Sequence, residues 1–487
     1  MNKSGPIRKN IEDLAKERIL ILDGAMGALI QAHRKASGEA LGEEDFRGKE
    51  FAPHPRPLKG CNDLLCLSQG EIVYGIHRAY LEVGADIIET NSFNATAVSL
   101  ADFGLEDRAY DISLAAARLA RRAADEFSSP DKPRFVAGSV GPTAKSGSIS
   151  PDLNDPGKRA IYWDELEGAY YDNIRGLLDG GADLILIETI IDTLNAKAAI
   201  FAARRLEEER GLDIPLIISA TLVNSGGRLL SGQTLEAFCT SVLHANPLAL
   251  GLNCSFGAEK LLDPIKKLSA MVPCLVSAYP NAGFPDSQGV YDEDPQTMAG
   301  HVEEYLRVGA VNIIGGCCGS TPAHIQEIAA RASAYAPRPL PILPPRNLLS
   351  GLELYELPPS SKAAEGGCDA AENPEFLALL QKGDYEEAVE IGRQIAEEGL
   401  PIEVCMDHPL IDGKTAMREF LLYALQFPDL ARLPFIIRSS RWDIIEEGLK
   451  CLQGKALVYV GGLHEGDEEF LRRADLAHRY GAVLKAH

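Results

Sequence analysis

Residues 182–189 read ADLILIET, a run that is almost continuously apolar until it ends in a glutamate and a threonine. This composition is typical of a strand that is buried on both faces of a parallel sheet. Seven further runs share it: RILILDG (18–24), ADIIETN (85–91), RFVAGSVGP (134–142), PLIISATL (215–222), PLALGLNC (247–254), PCLVSAYP (273–280) and AVNIIGGCCG (310–319). Eight such strands, separated by segments that are mostly long enough for crossover helices, predict an α/β fold of the (β/α)8 TIM-barrel type.

Each of these runs breaks into polar residues or cysteines at its carboxyl end. In a (β/α)8 barrel the carboxyl ends of all strands meet at one face, where the active site is built. We therefore expect convergence of Asp23, Glu89, Thr90, Asn91, Ser139, Glu188, Thr189, Asn253, Cys254, Asn281, Cys317 and Cys318.

The 487 residues exceed one ordinary domain. We assign residues 1–340 to the barrel and residues 341–373, which are rich in proline, glycine and serine, to a linker. Residues 374–487 then form a smaller, incomplete, half-barrel-like α/β domain. About four strands are expected in it, in LPIEVCMDH, LPFIIRSS, KALVYVGG and YGAVLKAH.

The formal net charge of −22, from 48 basic and 70 acidic residues, argues against nucleic acid as a partner. The amino terminus has no apolar region of signal-peptide length, and no run approaches the ~20 apolar residues of a membrane helix. We therefore expect a cytoplasmic protein that does not bind membranes. Ten cysteines in such a chain predict reduced thiols, some of them available as metal ligands.

Three of these cysteines lie on two predicted strand ends, Cys254 on one and the adjacent pair Cys317 and Cys318 on the other. Catalytic zinc takes three protein ligands and keeps a fourth position open, and thiolate ligands leave a bound substrate thiol nucleophilic. The spacing equally permits a different structure. In that alternative Cys254 packs in the barrel, and GGCC forms a tight turn with a vicinal disulfide or two idle thiols.

The other candidate residues surround the first and fourth strands. Asp23 and Glu188 suit the ammonium group of an amino acid, although acids at these positions also cap helices or pair with basic side chains. The LDGAMG turn (22–27) offers backbone N–H groups to a carboxylate, or is only a turn.

Several motifs together resemble the homocysteine S-methyltransferase family: LDGAMGALIQ, ADIIETNSFNAT, GSVGPT, ADLILIETIIDTLNAKAA, SGQTLEAF, GLNC, YPNAGFP and GGCCGSTPAHI. The resemblance covers residues 18–345 and is strongest to cobalamin-dependent methionine synthases. It implies a zinc ion on Cys254, Cys317 and Cys318, with Asn281 as a fourth ligand when homocysteine is absent. It also implies homocysteine contacts from Asp23, the backbone of Ala25 and Met26, and Glu188, with Thr90, Ser139 and Asn253 as pocket members.

Residues 374–487 resemble the start of the folate-binding barrel of the same synthases, but they depart from its pterin motifs. The opening strand has no counterpart in 351–373, and Asp407 alone of the pterin set is retained. The departures are Glu403, Val404, Cys405, Arg438 and Tyr459. We therefore expect no folate binding and a role in docking, dimerisation or support of the barrel.

These inferences predict a zinc-dependent methyltransferase that forms methionine from homocysteine, with methylcobalamin on a separate corrinoid protein as the donor. One alternative is the same barrel with S-methylmethionine or betaine as the donor. An alternative of another class is a non-catalytic zinc-binding scaffold, or the docking subunit of a split methionine synthase. The expected partners are homocysteine, a corrinoid protein or a chain that carries a folate domain, and further copies of this chain in an oligomer.

Overall fold

The computed structural model describes residues 5–223, 226–285, 291–358, 367–464 and 466–486. Its first sheet is parallel and contains β1 (Leu20–Ile21), β2 (Ile87–Glu89), β3 (Phe135–Val140), β4 (Leu184–Ile190), β5 (Leu216–Ala220), β6 (Ala249–Gly257), β7 (Leu275–Asn281) and β8 (Ile313–Ile314). Every strand pairs with its sequence neighbour, β1 pairs with β8, and a bridge from Leu22 to Ile87 joins β1 to β2. The predicted (β/α)8 barrel is confirmed, with all eight strands inside the predicted apolar runs or within three residues of them.

Helices connect and surround these strands. They are α1 (Pro6–Glu17), α2 (Met26–Ala32), α3 (Glu43–Arg47), α4 (Leu65–Ser68), α5 (Gly70–Glu82), α6 (Ala97–Leu100), α7 (Ala109–Phe127), α8 (Trp163–Asp179), α9 (Thr193–Arg210), α10 (Leu235–Val242), α11 (Ala258–Met271), α12 (Pro295–Arg307) and α13 (Pro322–Ala332). Within the described ranges, no helix combines the length and the apolar character that crossing a bilayer requires.

Apolar side chains from the strands fill the barrel interior. Leu20, Leu186 and Ile217 form one buried cluster there with Ile11 and Ala15 of α1. Helix α1 therefore closes the amino-terminal end of the barrel. The polar residues lie at the other end of the barrel, at the carboxyl ends of the strands.

A second, smaller α/β unit follows the barrel. An antiparallel hairpin, β9 (Leu348–Ser350) and β10 (Leu354–Glu356), precedes a parallel sheet of β11 (Cys368–Asp369), β12 (Ile402–Cys405), β13 (Phe435–Ser439), β14 (Leu457–Val460) and β15 (Val483–Ala486). Its helices are α14 (Pro374–Lys382), α15 (Tyr385–Ala396), α16 (Gly413–Ala424), α17 (Pro428–Ala431), α18 (Trp442–Leu449) and α19 (Glu468–Arg479). The smaller α/β domain is thus confirmed as a fold.

Two details differ from the sequence-based expectation. The segment 341–373, predicted as a linker, contains β9, β10 and β11, so the sheet has five strands instead of about four. The helical segment predicted from residue 374 onward is two helices, because Gly383 takes the left-handed conformation (φ 71°) and ends α14. The domain boundaries at residues 340 and 374 stay predictions.

Two buried cations fasten the barrel to the second unit. Lys197 of α9 is 1% exposed, and its ammonium group donates to the carbonyls of Leu452 (2.7 Å) and Gly454 (3.0 Å). Arg159, in the connection between β3 and α8, donates to the carbonyl of Leu422 (2.7 Å). Because buried backbone carbonyls need hydrogen-bond partners, these contacts tie the two units to each other.

Candidate metal centre and substrate cavity

Three cysteine sulfurs meet at the carboxyl ends of β6 and β8. Cys254 Sγ lies 3.7 Å from Cys318 Sγ, and the sulfurs of Cys254, Cys317 and Cys318 all lie within 4.8 Å of one another. Zinc–sulfur bonds of ~2.3 Å in tetrahedral geometry place neighbouring sulfurs about 3.8 Å apart. The three thiols are free and partly exposed, so their spacing and chemistry fit a zinc ion with one open position.

The backbone around the sulfurs is unusual. Cys254 and Ser255 both have φ near 55°, and the pairing of β6 with β7 shifts register between Cys254 and Gly257. Such a bulge redirects a side chain away from its strand position. On the other side of the site, a Cβ on Gly316 would lie 2.5 Å from Ser320 Oγ, so glycine is required there for close packing.

Crowding of the thiols separates their pKa values. Hydrogen bonds from the Cys254 and Cys317 thiols lower the pKa of Cys318 to about 3. Cys317 makes corresponding hydrogen bonds with Cys254 and Cys318, and these raise its pKa well above the usual range. One sulfur of the cluster is therefore stabilised as a thiolate by its neighbours.

A cavity of about 800 Å³ opens beside the sulfurs. Nine of the eleven predicted site residues line it: Asp23, Ala25, Met26, Thr90, Ser139, Glu188, Cys254, Cys317 and Cys318. Side chains from six of the eight strands or their carboxyl ends thus converge on one mouth, as the barrel pattern predicts. The volume falls within the ~300–1,000 Å³ typical of small-molecule sites.

Three carboxyl groups, those of Asp23, Glu89 and Glu188, line the same cavity. Asp23 is buried, and its Oδ2 accepts the N–H of Glu89 at 3.0 Å, while no donor in the described part of the chain reaches its Oδ1. Glu188 Oε1 accepts the Ser139 hydroxyl at 2.5 Å. Burial raises the pKa of Glu188 to about 7, and it raises the pKa values of Asp23 and Glu89 well above their usual range. Within the described residues none of the three carboxyl groups forms an ion pair, and Arg34, which also lines the cavity, donates to the carbonyls of Gln31 and His33 instead.

The backbone of the LDGAMG turn faces the same cavity. The Ala25 N–H already donates to Ser320 Oγ (3.1 Å), and that hydroxyl donates to the carbonyl of Cys317 (2.7 Å). Met26 begins α2, so its N–H lacks an intrahelical partner. Ser320, which sequence reasoning missed, therefore joins the turn to the metal site, and the free amides of the turn start at Met26.

The remaining two predicted residues lie behind the cavity wall. Asn281 is buried, and its Oδ1 accepts the N–H of Cys318 at 3.1 Å. Asn253 is fully buried, and its side chain bonds to Thr189, Ser219 and Cys317. Both asparagines hold the residues that carry or flank the sulfurs, and neither side chain lines the cavity.

Other lining residues were not among the predicted site residues. Tyr279 precedes Asn281 by two residues on β7, so the YPNAG motif could have indicated it. Tyr291 and Phe93 come from loops, Asn62 and Asp63 come from a short 3-10 helix, and these segments join the cavity only in the folded chain. Sequence reasoning therefore finds the strand-end residues and misses the walls that loops supply.

Comparison with known proteins adds the following. The family model described as homocysteine S-methyltransferase matches residues 20–332. The oxidized form of the homocysteine methyltransferase MmuM from Escherichia coli aligns with 67% of this chain and 100% of its own, at 23% identity and a TM-score of 0.50. Its metallated form aligns with 66% of this chain and 98% of its own, at 25% identity and a TM-score of 0.49. A B12-independent methionine synthase from Shewanella sp. W3-18-1 covers 65% of this chain and 97% of its own, at 13% identity and a TM-score of 0.36. The first of these similarities supports the barrel fold.

Proposed function

The chain belongs to the homocysteine S-methyltransferase family and is a methyltransferase, and we propose that it methylates the thiol of homocysteine at a zinc site to form methionine. The carboxyl groups of Asp23, Glu89 and Glu188, which form no ion pair within the described residues, carry this proposal together with Asp23 Oδ1, which no described donor reaches. They lie in the same cavity as three free thiols at metal-ligand spacing. The cavity therefore combines a place for an amino acid with a place for its sulfur.

We assign the amino-acid end of the substrate to the first four strands. In this proposal Asp23 Oδ1 and Glu188 accept the ammonium group, because a buried carboxylate gains most from a charged donor. The amides from Met26 onward are placed to donate to the substrate carboxylate. Ser139 donates to Glu188 and so fixes which carboxylate oxygen stays free for the substrate.

We assign the metal to Cys254, Cys317 and Cys318. Zinc bound there would supply Lewis acidity that keeps a coordinated substrate thiol deprotonated at neutral pH. The chain itself fixes the three sulfurs on short, hydrogen-bonded strand ends. Asn281 is implied as a fourth ligand, and within the described residues its Oδ1 accepts one hydrogen bond, which leaves a lone pair for that role.

As the methyl donor we propose methylcobalamin on a separate corrinoid protein, as the resemblance to cobalamin-dependent synthases implies. S-methylmethionine and betaine are the alternatives, and the open cavity has room for a second small molecule besides homocysteine. Methionine formation should be measured with each of the three donors, and turnover with a small donor in the absence of any corrinoid would reject our choice.

The decisive test of zinc binding and thiol activation compares wild type with Cys317→Ser. We expect about one zinc per wild-type chain, and loss of both zinc and methionine formation in the variant. Cys274→Ser is a matched control, because Cys274 is also a free, partly exposed cysteine of the barrel but precedes β7 at the opposite end. Full activity of Cys317→Ser would reject the ligand assignment, and zinc in wild type without methionine formation from any donor would favour the non-catalytic zinc-binding scaffold.

For the second unit we propose support of the barrel instead of folate binding. Asp407, the retained pterin residue, already accepts the side chains of Ser439 and Ser440 and the N–H of Ser440. Arg438 on β13 donates to Glu403 on the neighbouring strand β12 and to Asp369 on β11, one strand further along the sheet. Because these groups satisfy one another, little hydrogen-bonding capacity is left for a pterin. Saturable, micromolar binding in a folate titration would contradict this proposal.

A further inference from the structure

Strained backbone surrounds the proposed metal site. Thr189 at the end of β4 and Cys254 and Ser255 on β6 all have φ between 53° and 55°. Residues with a Cβ avoid this left-handed region, and they remain in it only where the surroundings hold them there. Specific hydrogen bonds must therefore hold these three residues in the left-handed conformation.

The side chain of Asn253 makes most of these hydrogen bonds. Its Oδ1 accepts the N–H of Thr189 (3.1 Å) and the hydroxyl of Ser219 (2.7 Å). Its Nδ2 donates to Thr189 Oγ1 (2.7 Å) and lies 4.0 Å from Cys317 Sγ. An asparagine amide has two donor hydrogens and two acceptor lone pairs, so these four contacts use its full capacity.

Ser255 makes further hydrogen bonds on the other side of Cys254. We call the hydrogen bonds of Asn253 and Ser255 together the clamp. Its N–H donates to Thr221 Oγ1 (3.1 Å), and its Oγ accepts the N–H of Leu222 (2.7 Å). The same hydroxyl donates to the carbonyl of Asn253 (3.0 Å). Cys254 is thus flanked by two residues whose hydrogen bonds reach β4 and the end of β5.

We propose that Asn253 is a positioning residue of the metal site and makes no contact with the substrate. This inference rests on the proposed zinc-dependent function and changes the role that the sequence suggested for Asn253. Asn253 holds Thr189 and Cys254 in their strained conformations and contacts Cys317. The positions of two of the three sulfurs therefore depend on it. Residues that orient metal ligands typically change metal affinity about 10–100-fold when they are removed.

The test measures metal affinity directly. Zinc dissociation constants of wild type and Asn253→Ala are determined by competition with a chromophoric chelator, and the cobalt(II)-loaded proteins are compared by their sulfur-to-metal charge-transfer absorption. We expect zinc binding to weaken about 10–100-fold and the charge-transfer band to shift or lose intensity. The homocysteine KM is measured at saturating zinc and should rise less than the zinc dissociation constant.

Asn312→Ala is the matched control. Asn312 is an equally buried asparagine of the same barrel, it accepts the N–H of Val276 and donates to the carbonyl of Arg338, and it precedes β8 at the opposite end. We expect this variant to lose stability without a change in zinc affinity. If Asn253→Ala does not fold, Ser219→Ala removes one of the four contacts and should weaken zinc binding by a smaller factor.

Two results would overturn the inference. Wild-type zinc affinity in the Asn253 variant together with a raised homocysteine KM would make Asn253 a substrate contact. Equal weakening of zinc binding in the Asn253 and Asn312 variants would make its role a general one in stability. Failure of the proposed function is distinguishable, because wild type itself would then bind no zinc or form no methionine, whereas this inference is tested by the difference in zinc affinity between the variants.

Discussion

Replacing Lys197 by methionine should change how the stability of the protein depends on pH. Burial lowers the pKa of Lys197 from 10.5 to about 7 in the folded chain. Between these values the unfolded chain binds more protons, so the free energy of unfolding rises with pH in the wild type. At ~1.4 kcal/mol per pKa unit, the depression corresponds to about 5 kcal/mol, of which about 4 kcal/mol falls between pH 7 and pH 10.

The variant lacks this titration but also lacks two hydrogen bonds. Loss of the donor to the Leu452 and Gly454 carbonyls costs about 1–3 kcal/mol for each carbonyl. Relief from holding an ammonium group in a buried site offsets that cost near pH 7 and not at pH 10. We therefore expect Lys197→Met to match or exceed wild type at pH 7 and to be clearly less stable at pH 10.

Urea unfolding at pH 7, 8, 9 and 10 checks this prediction. The fluorescence of Trp163 is a suitable signal, because its ring lies 5.3 Å from that of Tyr480 across the same interface. Subtracting the variant from wild type removes the contributions of the other titrating groups. Lys266→Met, at an exposed position, should run parallel to wild type. Parallel curves for Lys197→Met would refute the reasoning, since they would mean that the buried lysine keeps its charge.

Three further predictions concern the barrel. Glu188 has a pKa raised to about 7, so the homocysteine KM should fall as the pH rises through 7 and the carboxylate forms. Steady-state assays of Glu188→Gln should show no such dependence on pH. Gly251→Ala places a Cβ 2.7 Å from the Ser277 carbonyl and should cost several kcal/mol in thermal unfolding, whereas Gly168→Ala, on α8 with open space around it, should stabilise by about 0.5–1 kcal/mol. Returning zinc to chelator-stripped protein should raise the melting temperature of wild type and not of Cys317→Ser.

The fold was predictable from the sequence because each buried parallel strand leaves a continuous apolar run. Even β1 and β8, with two paired residues each, lie within runs long enough to recognise. The shortest elements of the second unit were not predictable. Strand β11 consists of Cys368 and Asp369, and its place in the sheet depends on pairing with β12, which no local pattern reveals.

The site was predictable as a set of residues and not as a set of roles. The barrel pattern brings strand-end residues together whatever their orientation, so Asn253 and Asn281 were included correctly as neighbours. Whether such a side chain faces the cavity depends on backbone conformation. The left-handed φ of Cys254 turns its sulfur toward Cys318, and that conformation has no signature in a run such as GLNC.

The same conformation connects the two halves of the proposed site. Thr189 follows Glu188 directly, and its N–H and hydroxyl are both bonded to Asn253, which also contacts Cys317. A carboxylate placed for the substrate ammonium group is therefore one residue away from the clamp on the sulfurs. Because the clamp is shared, a change that releases Thr189 must alter both the position of Glu188 and the spacing of the thiols. Substrate binding and metal binding at this site are consequently expected to be thermodynamically coupled.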